Sequence, residues 1–392
     1  PAELGIHAAM GGESDARLNT ARWLDPRLPN LYSAFRALGY RTGHFGKWHL
    51  GSGKAPAPGA YGLDESATTN STGPRLEVGG QALYEGTLDA AQGGKPAIAR
   101  AKSSAVIADA AMGFIARNAA RPFVLGLWTI EPHAVVDPDE GQMAAYADRT
   151  DPAVAGRFTN AEAVYFASVS SVDRQVGRVM DYLRRSGLDR HTLVIFTSDN
   201  GPAPGGARAT GHAASDLSRG PFRGSKASLY EGGIRVPMLV SWPGRVPAGS
   251  VGRQSVSAVD LLPSLIALAG GGAPQGLNGE DRGADLLGTG PARPRSGALF
   301  WEIRQANWGP AIDASPRLAL REGDWKLLAD ADGSRAELYN LAQSPDETAN
   351  RAASEPARTA AMKTRLLDWH RTRVPPHGQD APGGPAWRWP GR

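Results

Sequence analysis

The sequence predicts an α/β fold: a mainly parallel central sheet flanked by helices, then a small C-terminal antiparallel sheet with one helix. Three observations carry this. Apolar runs at 123–130 (FVLGLWTI), 192–198 (TLVIFTS) and 237–242 (PMLVSW) lack the polar alternation of a half-solvated sheet and read as buried strands. Segments of helical period alternate with them over some 250 residues, the pattern of βαβ units closing a parallel sheet. After about residue 270 short β-like pieces follow one another at 298–302, 317–321, 325–328 and 337–341 before a final helix. The expected organisation is therefore an α/β domain over 1–270 and an α+β subdomain over 271–392, with a Pro- and Gly-rich tail from Val374.

The elements follow in order. A helix fits 29–38, with Leu31, Phe35 and Leu38 on one face and Gly39 as its stop. Residues 50–94, rich in Gly, Pro, Ser and Thr, read as a long surface excursion. Residues 106–118 have a helical period, and Pro122 introduces the first apolar run. Thr159 or Asn160 caps a long helix to Ser186, with Val169, Val172, Val176, Val179 and Leu183 as its stripe and Gly187 at its end. A Gly- and Pro-containing loop reaches about Ser225, and 260–269 forms another helix. The last helix, 355–371, aligns Met362, Leu366 and Trp369.

Composition narrows the function. A hydrophobic fraction of 41% is enough for a packed core and excludes a disordered chain. No run of 18 apolar residues is present, so no membrane-spanning helix is expected. The net charge of +4 comes without any long basic block, which points away from nucleic acid. The chain has no Cys, which removes disulfides, thiolate metal sites and a Cys nucleophile from these residues. It has seven Lys against many more Arg, so a lysine embedded in a dense motif carries information. The first residue is Pro1 rather than Met, and the expectation is a processed or truncated chain.

Three segments combine residue types that do chemistry. The first, GHFGKWHLG at 43–51, alternates Lys47 and His49, so that both side chains share one side of an extended segment. A cation beside an imidazole suits a tetrahedral oxyanion, and the flanking glycines allow close backbone approach, against the alternative of a solvated edge strand. The second is Asp199-Asn200-Gly201, directly after an apolar run, just as Glu131-Pro132-His133 follows another. Groups beyond the carboxyl ends of strands are where open α/β sheets bind ligands. Asp and Asn are hard oxygen donors suited to Ca²⁺ or Mg²⁺, and the same three residues also make a strong turn. The third, RGSKASLYEGGIRVP at 223–237, carries Lys226 on a glycine-containing loop, with Glu231 and Arg235 expected to pair and fix it.

These residues carry a resemblance to the formylglycine-dependent sulfatases of the alkaline phosphatase superfamily. GYRTGHFGKWHLG (39–51), FTSDNG (196–201), KASLYEGGIRVP (226–237), the strand ending in Glu-Pro-His133, and the tail motifs GDWKLL (323–328) and ELYNL (337–341) occur in the family's order over nearly the whole chain. The resemblance implies that Lys47 and Lys226 contact the sulfate, that His133 hydrogen-bonds the sulfate or protonates the leaving oxygen, and that His49 holds the nucleophile's hydroxyl and serves as a base. It implies Asp199 and Asn200 as two ligands of a Ca²⁺ ion, with Mg²⁺ the weaker candidate. His212, on the intervening loop, is a candidate substrate contact or a plain surface histidine. The family's nucleophile arises from a Cys in a Cys-x-Pro-Ser-Arg-type motif near an Asp pair, and neither occurs here. The expectation is that the formylglycine and the remaining metal ligands belong to a segment upstream of Pro1, and that these residues alone are inactive. Expected partners are a sulfated small molecule or a sulfated polysaccharide, in a periplasmic or secreted setting. Two other readings stand beside this one: a non-catalytic anion- or polysaccharide-binding protein on a degraded sulfatase fold, and a phosphoester hydrolase of the same superfamily.

Overall fold

The computed structural model describes residues 23–50, 55–69, 76–78, 81–83, 102–133, 136, 138–146, 150–151, 156–157, 160–203, 220–291, 293–304 and 313–373. The first element is helix α1 (Leu31–Ala37), started by Asn30, whose side chain accepts from the amides of Tyr32 and Ser33 while Ser33 answers in a capping box. It ends where Gly39 turns left-handed at φ +84°. Strands β1 (Arg41–Lys47) and β2 (Glu65–Thr69) follow, then a ribbon of β3 (Leu76–Val78) and β4 (Gln81–Leu83). Helix α2 (Ser103–Asn118) leads to β5 (Phe123–Trp128).

The three strands β2, β1 and β5 form a parallel sheet in that order, with Gly43 opposite Glu65 and Leu125. Its core is Phe45, Ile107, Ala111, Phe114 and Ile130, buried between the sheet and α2. Gly43 is required there, because a Cβ at that position would sit 2.9 Å from the Phe114 ring. Strand β2 falls inside the stretch read from sequence as a surface excursion, and Tyr61 and Leu63 beside it are also buried. That expectation is corrected: ESATT has no apolar alternation, and its place in the sheet comes from β1 rather than from its own side chains.

Next come α3 (Glu140–Ala144), a ribbon of β6 (Thr150–Asp151) and β7 (Gly156–Arg157), and the long helix α4 (Asn160–Arg185). Helix α4 packs on α2, with Arg178 donating to Asp109 at 2.5 Å, and buries Val172 and Leu183, whereas Val169, expected in the buried stripe, is exposed. Among the described residues no helix is long and apolar enough to cross a membrane. Strand β8 (Val194–Thr197), short helix α5 (Glu231–Ile234) and β9 (Met238–Ser241) follow. The second and third apolar runs were expected as buried strands of the parallel sheet. Instead β8 and β9 pair with each other, antiparallel, and Phe196 and Leu239 are 39% and 65% exposed. A continuous apolar run marks a strand; it does not say which neighbour takes its edges or what covers its faces.

Helices α6 (Ala258–Leu268) and α7 (Gly283–Leu287) precede the C-terminal sheet. There β10 (Leu299–Glu302), β11 (Leu318–Glu322), β12 (Trp325–Ala329) and β13 (Glu337–Asn340) pair antiparallel in sequence order. Helix α8 (Pro356–Arg373) lays Met362 and Leu366 on this sheet, and Trp369 stacks on Phe300 at 4.9 Å. The sheet and helix agree with the sequence reading element by element. On its other side, Ala319, Leu328 and Tyr339 enclose Leu229 and Tyr230. The C-terminal sheet thus packs against the segment that carries Lys226.

Candidate active site

The first group of site residues collects at the carboxyl end of the parallel sheet. The register sets Gly46 opposite Trp128, so Lys47 leaves β1 beside the point where β5 runs on to His133. Around the end of β1 the expected alternation survives as burial: Lys47 and His49 are partly exposed, and Trp48 between them is 5% exposed. Trp48 packs edge-on against Tyr61 at 5.2 Å. Gly46 is needed twice over, by its φ of +110° and because a Cβ would lie 1.9 Å from the Trp128 carbonyl oxygen.

Beneath Lys47 lies a residue that sequence reasoning missed. His44 is fully buried, with Nε2 2.8 Å from the Lys47 carbonyl oxygen and Nδ1 2.5 Å from the Tyr32 hydroxyl. A carbonyl only accepts, so Nε2 carries the proton and donates to it, and Nδ1 of the neutral ring accepts from Tyr32. Burial pushes the His44 pKa down to about 4 and raises that of Tyr32. Gly126 leaves room for this pair, since a Cβ there would meet the Tyr32 hydroxyl at 2.2 Å. The uncharged imidazole therefore pins the backbone of Lys47 without adding charge. Unfolded, the ring titrates near 6.5; folded, near 4. The unfolded state takes up the proton first as pH falls, so stability declines between those values, by about 3 kcal/mol. Chemical denaturation across this range should show that slope, and His44→Gln should remove it; an unchanged slope would assign it to another group.

His133 is placed by the turn 131–133, its amide donating to the Ile130 carbonyl at 2.9 Å. Glu131 anchors this turn: its buried carboxylate accepts from Ser104 of α2 at 2.5 Å and from Ser168 and Ser171 of α4 at 3.4 Å. Sequence reasoning gave Glu131 no role. In the sequence it is only a polar residue after an apolar strand; the serines that bind it, 27 to 40 residues away, are brought to it by the fold.

The second group forms around Gly201. Asp199 is exposed and Asn200 partly buried; Ser198 Oγ donates to the Asn200 carbonyl and Asn200 Nδ2 to that of Gly201. The Gly201 amide donates to Gly233 at 3.0 Å and the Lys226 amide to Pro202 at 2.7 Å, tying the Asp-Asn-Gly turn to the lysine loop. A Cβ on Gly201 would fall 1.8 Å from the Gly232 carbonyl oxygen. His212 lies outside the described residues. Glu231 and Arg235 do approach, at 3.8 Å, but the main partner of Glu231 is Lys326 at 2.8 Å.

The oxygen donors of Asp199 and Asn200 fit a hard cation such as Ca²⁺ and would provide two of the roughly six to eight oxygens it takes. Among the described residues there is no cluster of three or more His, Asp or Glu that could hold a metal ion.

A parallel sheet backed by helices, with polar groups gathered at its carboxyl end and a small antiparallel sheet closing the chain, defines an α/β protein with the candidate site at the end of an open sheet. The solved structure of Ps i-CgsB in complex with k-i-k-neocarrahexaose superposes with a TM-score of 0.72 over 99% of this chain and 81% of that one, at 23% identity, a likeness of fold. The family profile described as Sulfatase matches residues 12–271, and that of the N-sulphoglucosamine sulphohydrolase C-terminal region matches 224–371. The chain belongs to the sulfatase family. It is 39% identical to the steryl-sulfatase of Mus musculus over 43% of its length, and 32% identical to the N-acetylgalactosamine-6-sulfatase of Canis lupus familiaris over 66%. It spans 24% and 47% of those two relatives, half their length or less.

Proposed function

We propose that the chain contributes to a sulfuric ester hydrolase that cleaves sulfate monoesters of sugars or aryl alcohols, exported to the periplasm or beyond. The observation that carries this is the pair of lysine sites. Lys47 shares the carboxyl end of the parallel sheet with the turn bearing His133, and the backbone of Lys226 is bonded to the turn bearing Asp199 and Asn200.

The chemistry follows from residue types. Sulfate in a monoester is a poor electrophile until its oxygens are neutralised; the Lys47 and Lys226 ammoniums supply two fixed positive charges for that purpose. His133 gives a proton to the departing alkoxide oxygen. His49 accepts a proton from the nucleophile's hydroxyl, and the neutral His44 beneath Lys47 keeps the strand end in register. Asp199 and Asn200 would hold Ca²⁺, which as a Lewis acid would polarise the sulfate oxygens. A formylglycine would supply the covalent nucleophile; no Cys is among these 392 residues to form one. The sugar preference rests on the name of the N-acetylgalactosamine-6-sulfatase relative.

The test compares two polypeptides with 4-nitrophenyl sulfate. The 392-residue chain alone should be inactive. A polypeptide extended at its N-terminus by a segment with a Cys/Ser-x-Pro-x-Arg motif and an Asp pair should be active, lose activity to a chelator and regain it with calcium. Turnover by the shorter chain would overturn the placement of the nucleophile. An extended protein that hydrolyses phosphate esters and not sulfate esters would overturn the sulfatase reading.

A further inference from the structure

The loop carrying Lys226 is held in an unfavourable shape. Ala227, next to the lysine, has φ +70°, a left-handed conformation that persists only where surrounding contacts over-determine it. Those contacts come largely from the C-terminal sheet and its loops. The Gly224 amide donates to Asp313 at 3.3 Å, the Leu229 amide to Ser315 at 2.8 Å, and the Tyr230 hydroxyl to Glu337 at 2.8 Å. Arg223 covers the Tyr230 ring at 3.9 Å and donates to the Tyr339 hydroxyl at 3.1 Å.

At the end of the loop sits an ionic triad. Lys326 of β12 is 0% exposed, and its Nζ lies 2.8 Å from Glu231 Oε1 and 2.9 Å from Glu347 Oε1. Both carboxylates are at most 2% exposed, and the second oxygen of Glu347 accepts the Glu231 amide at 2.5 Å. Glu347 itself has φ +54°, a second residue forced left-handed at the same point. Arg235 and Arg321 approach the other Glu231 oxygen at 3.8 and 4.0 Å. Burial pushes the Glu347 carboxyl pKa up against the attraction of Lys326. A lysine and two carboxylates taken out of water are a costly way to gain stability, since an apolar filling of the same volume often does as well. Their value here is geometric: Glu231 begins α5, whose Gly232 amide bonds back to Arg223 and whose Gly233 carbonyl receives Gly201.

We propose that Lys326 is a positioning residue for the sulfate site: by joining Glu231 to Glu347 it locks the Lys226 loop and the Asp199–Gly201 turn to the C-terminal sheet. The inference rests on the sulfatase reading and assigns the C-terminal subdomain a part in catalysis through a residue that touches no substrate. The coupling runs from β12 through Glu231 and α5 to Gly201 on one side and to Lys226 on the other.

The test is a double-mutant cycle on the active, upstream-extended protein, reading kcat/KM for 4-nitrophenyl sulfate. Lys326→Met is combined with Glu347→Gln so that one uncompensated carboxylate is removed along with the lysine. The pair should lower kcat/KM about 100-fold in the wild-type background and at least about fivefold less than that in the Lys226→Ala background, because only the Asp199–Gly201 turn is then left to displace. Lys326→Arg should restore part of the loss. Equal losses in both backgrounds would reduce the triad to general stability and overturn the proposal, as would no loss in either. Hydrogen exchange of the 392-residue chain provides an arm independent of activity. Peptides covering 198–203 and 220–235 should exchange at least about tenfold faster in the paired variant, with those covering β1 and β5 unchanged. Unchanged exchange at 220–235 would overturn the lock. If the wild-type protein hydrolyses no sulfate ester, the sulfatase reading fails, and the exchange arm still decides whether the lock exists.

Discussion

Lys226→Ala should lower kcat/KM for a sulfate monoester about 10³-fold, with the unfolding midpoint unchanged. The substitution leaves the backbone bond from residue 226 to Pro202 in place, so it removes the ammonium and little else. One preorganised charge facing developing negative charge in a site shielded from water is worth roughly 3–4 kcal/mol of transition-state stabilisation. The side chain is only partly buried and lies at a loop, so folding should change by no more than about 0.5 kcal/mol. Lys226→Arg should recover only a part, because a planar guanidinium presents its donors in a different geometry from a compact ammonium. Removing a surface charge elsewhere, as in Arg184→Ala on α4, breaks only an exposed pair with Asp181 and should leave kcat/KM as it was.

Gly201→Ala should damage both the fold and the site. The new Cβ would fall 1.8 Å from the Gly232 carbonyl oxygen and 2.9 Å from its carbon. These are backbone atoms on backbone atoms, so no rotamer change relieves the overlap, and the turn must separate from the lysine loop. The expected costs are about 3 kcal/mol of stability and a loss of at least about 10²-fold in kcat/KM from misplacement alone. Gly252→Ala is the control: nothing lies within 4 Å of its Cβ, and both quantities should stay near wild type. Denaturation midpoints and steady-state kinetics on the three proteins check both expectations together.

Where structure follows from nearby residues, the sequence was a good guide. Asn30 and Gly39 bound α1 by capping and by a positive φ, and the four C-terminal strands with α8 fall almost where their periods put them. Where placement depends on residues far apart in the chain, it was silent. Strand β2 is polar and is recruited by β1, and the partner of β8 is β9 rather than the parallel sheet. Glu231 was matched to its helical neighbour Arg235, while its buried partner Lys326 comes from another sheet. The same holds at the site. Lys47, His49, His133 and Lys226 stand out as candidates because each sits in a compact motif at the end of a strand or on a glycine loop. His44 and Glu131 were not, because a buried polar group shows its purpose only through its partners: Lys47 and Tyr32 for one, three serines on two helices for the other.

The central claim is that the two lysine sites act together on one sulfate. The most direct measurement is calcium-dependent turnover of 4-nitrophenyl sulfate by the upstream-extended protein and its Lys47→Ala, Lys226→Ala and doubly substituted forms. The expected result is chelator-sensitive wild-type turnover, a loss of about 10³-fold in each single variant, and a double variant close to either single one, as groups acting as a unit are non-additive. Wild-type turnover surviving in the double variant would contradict it.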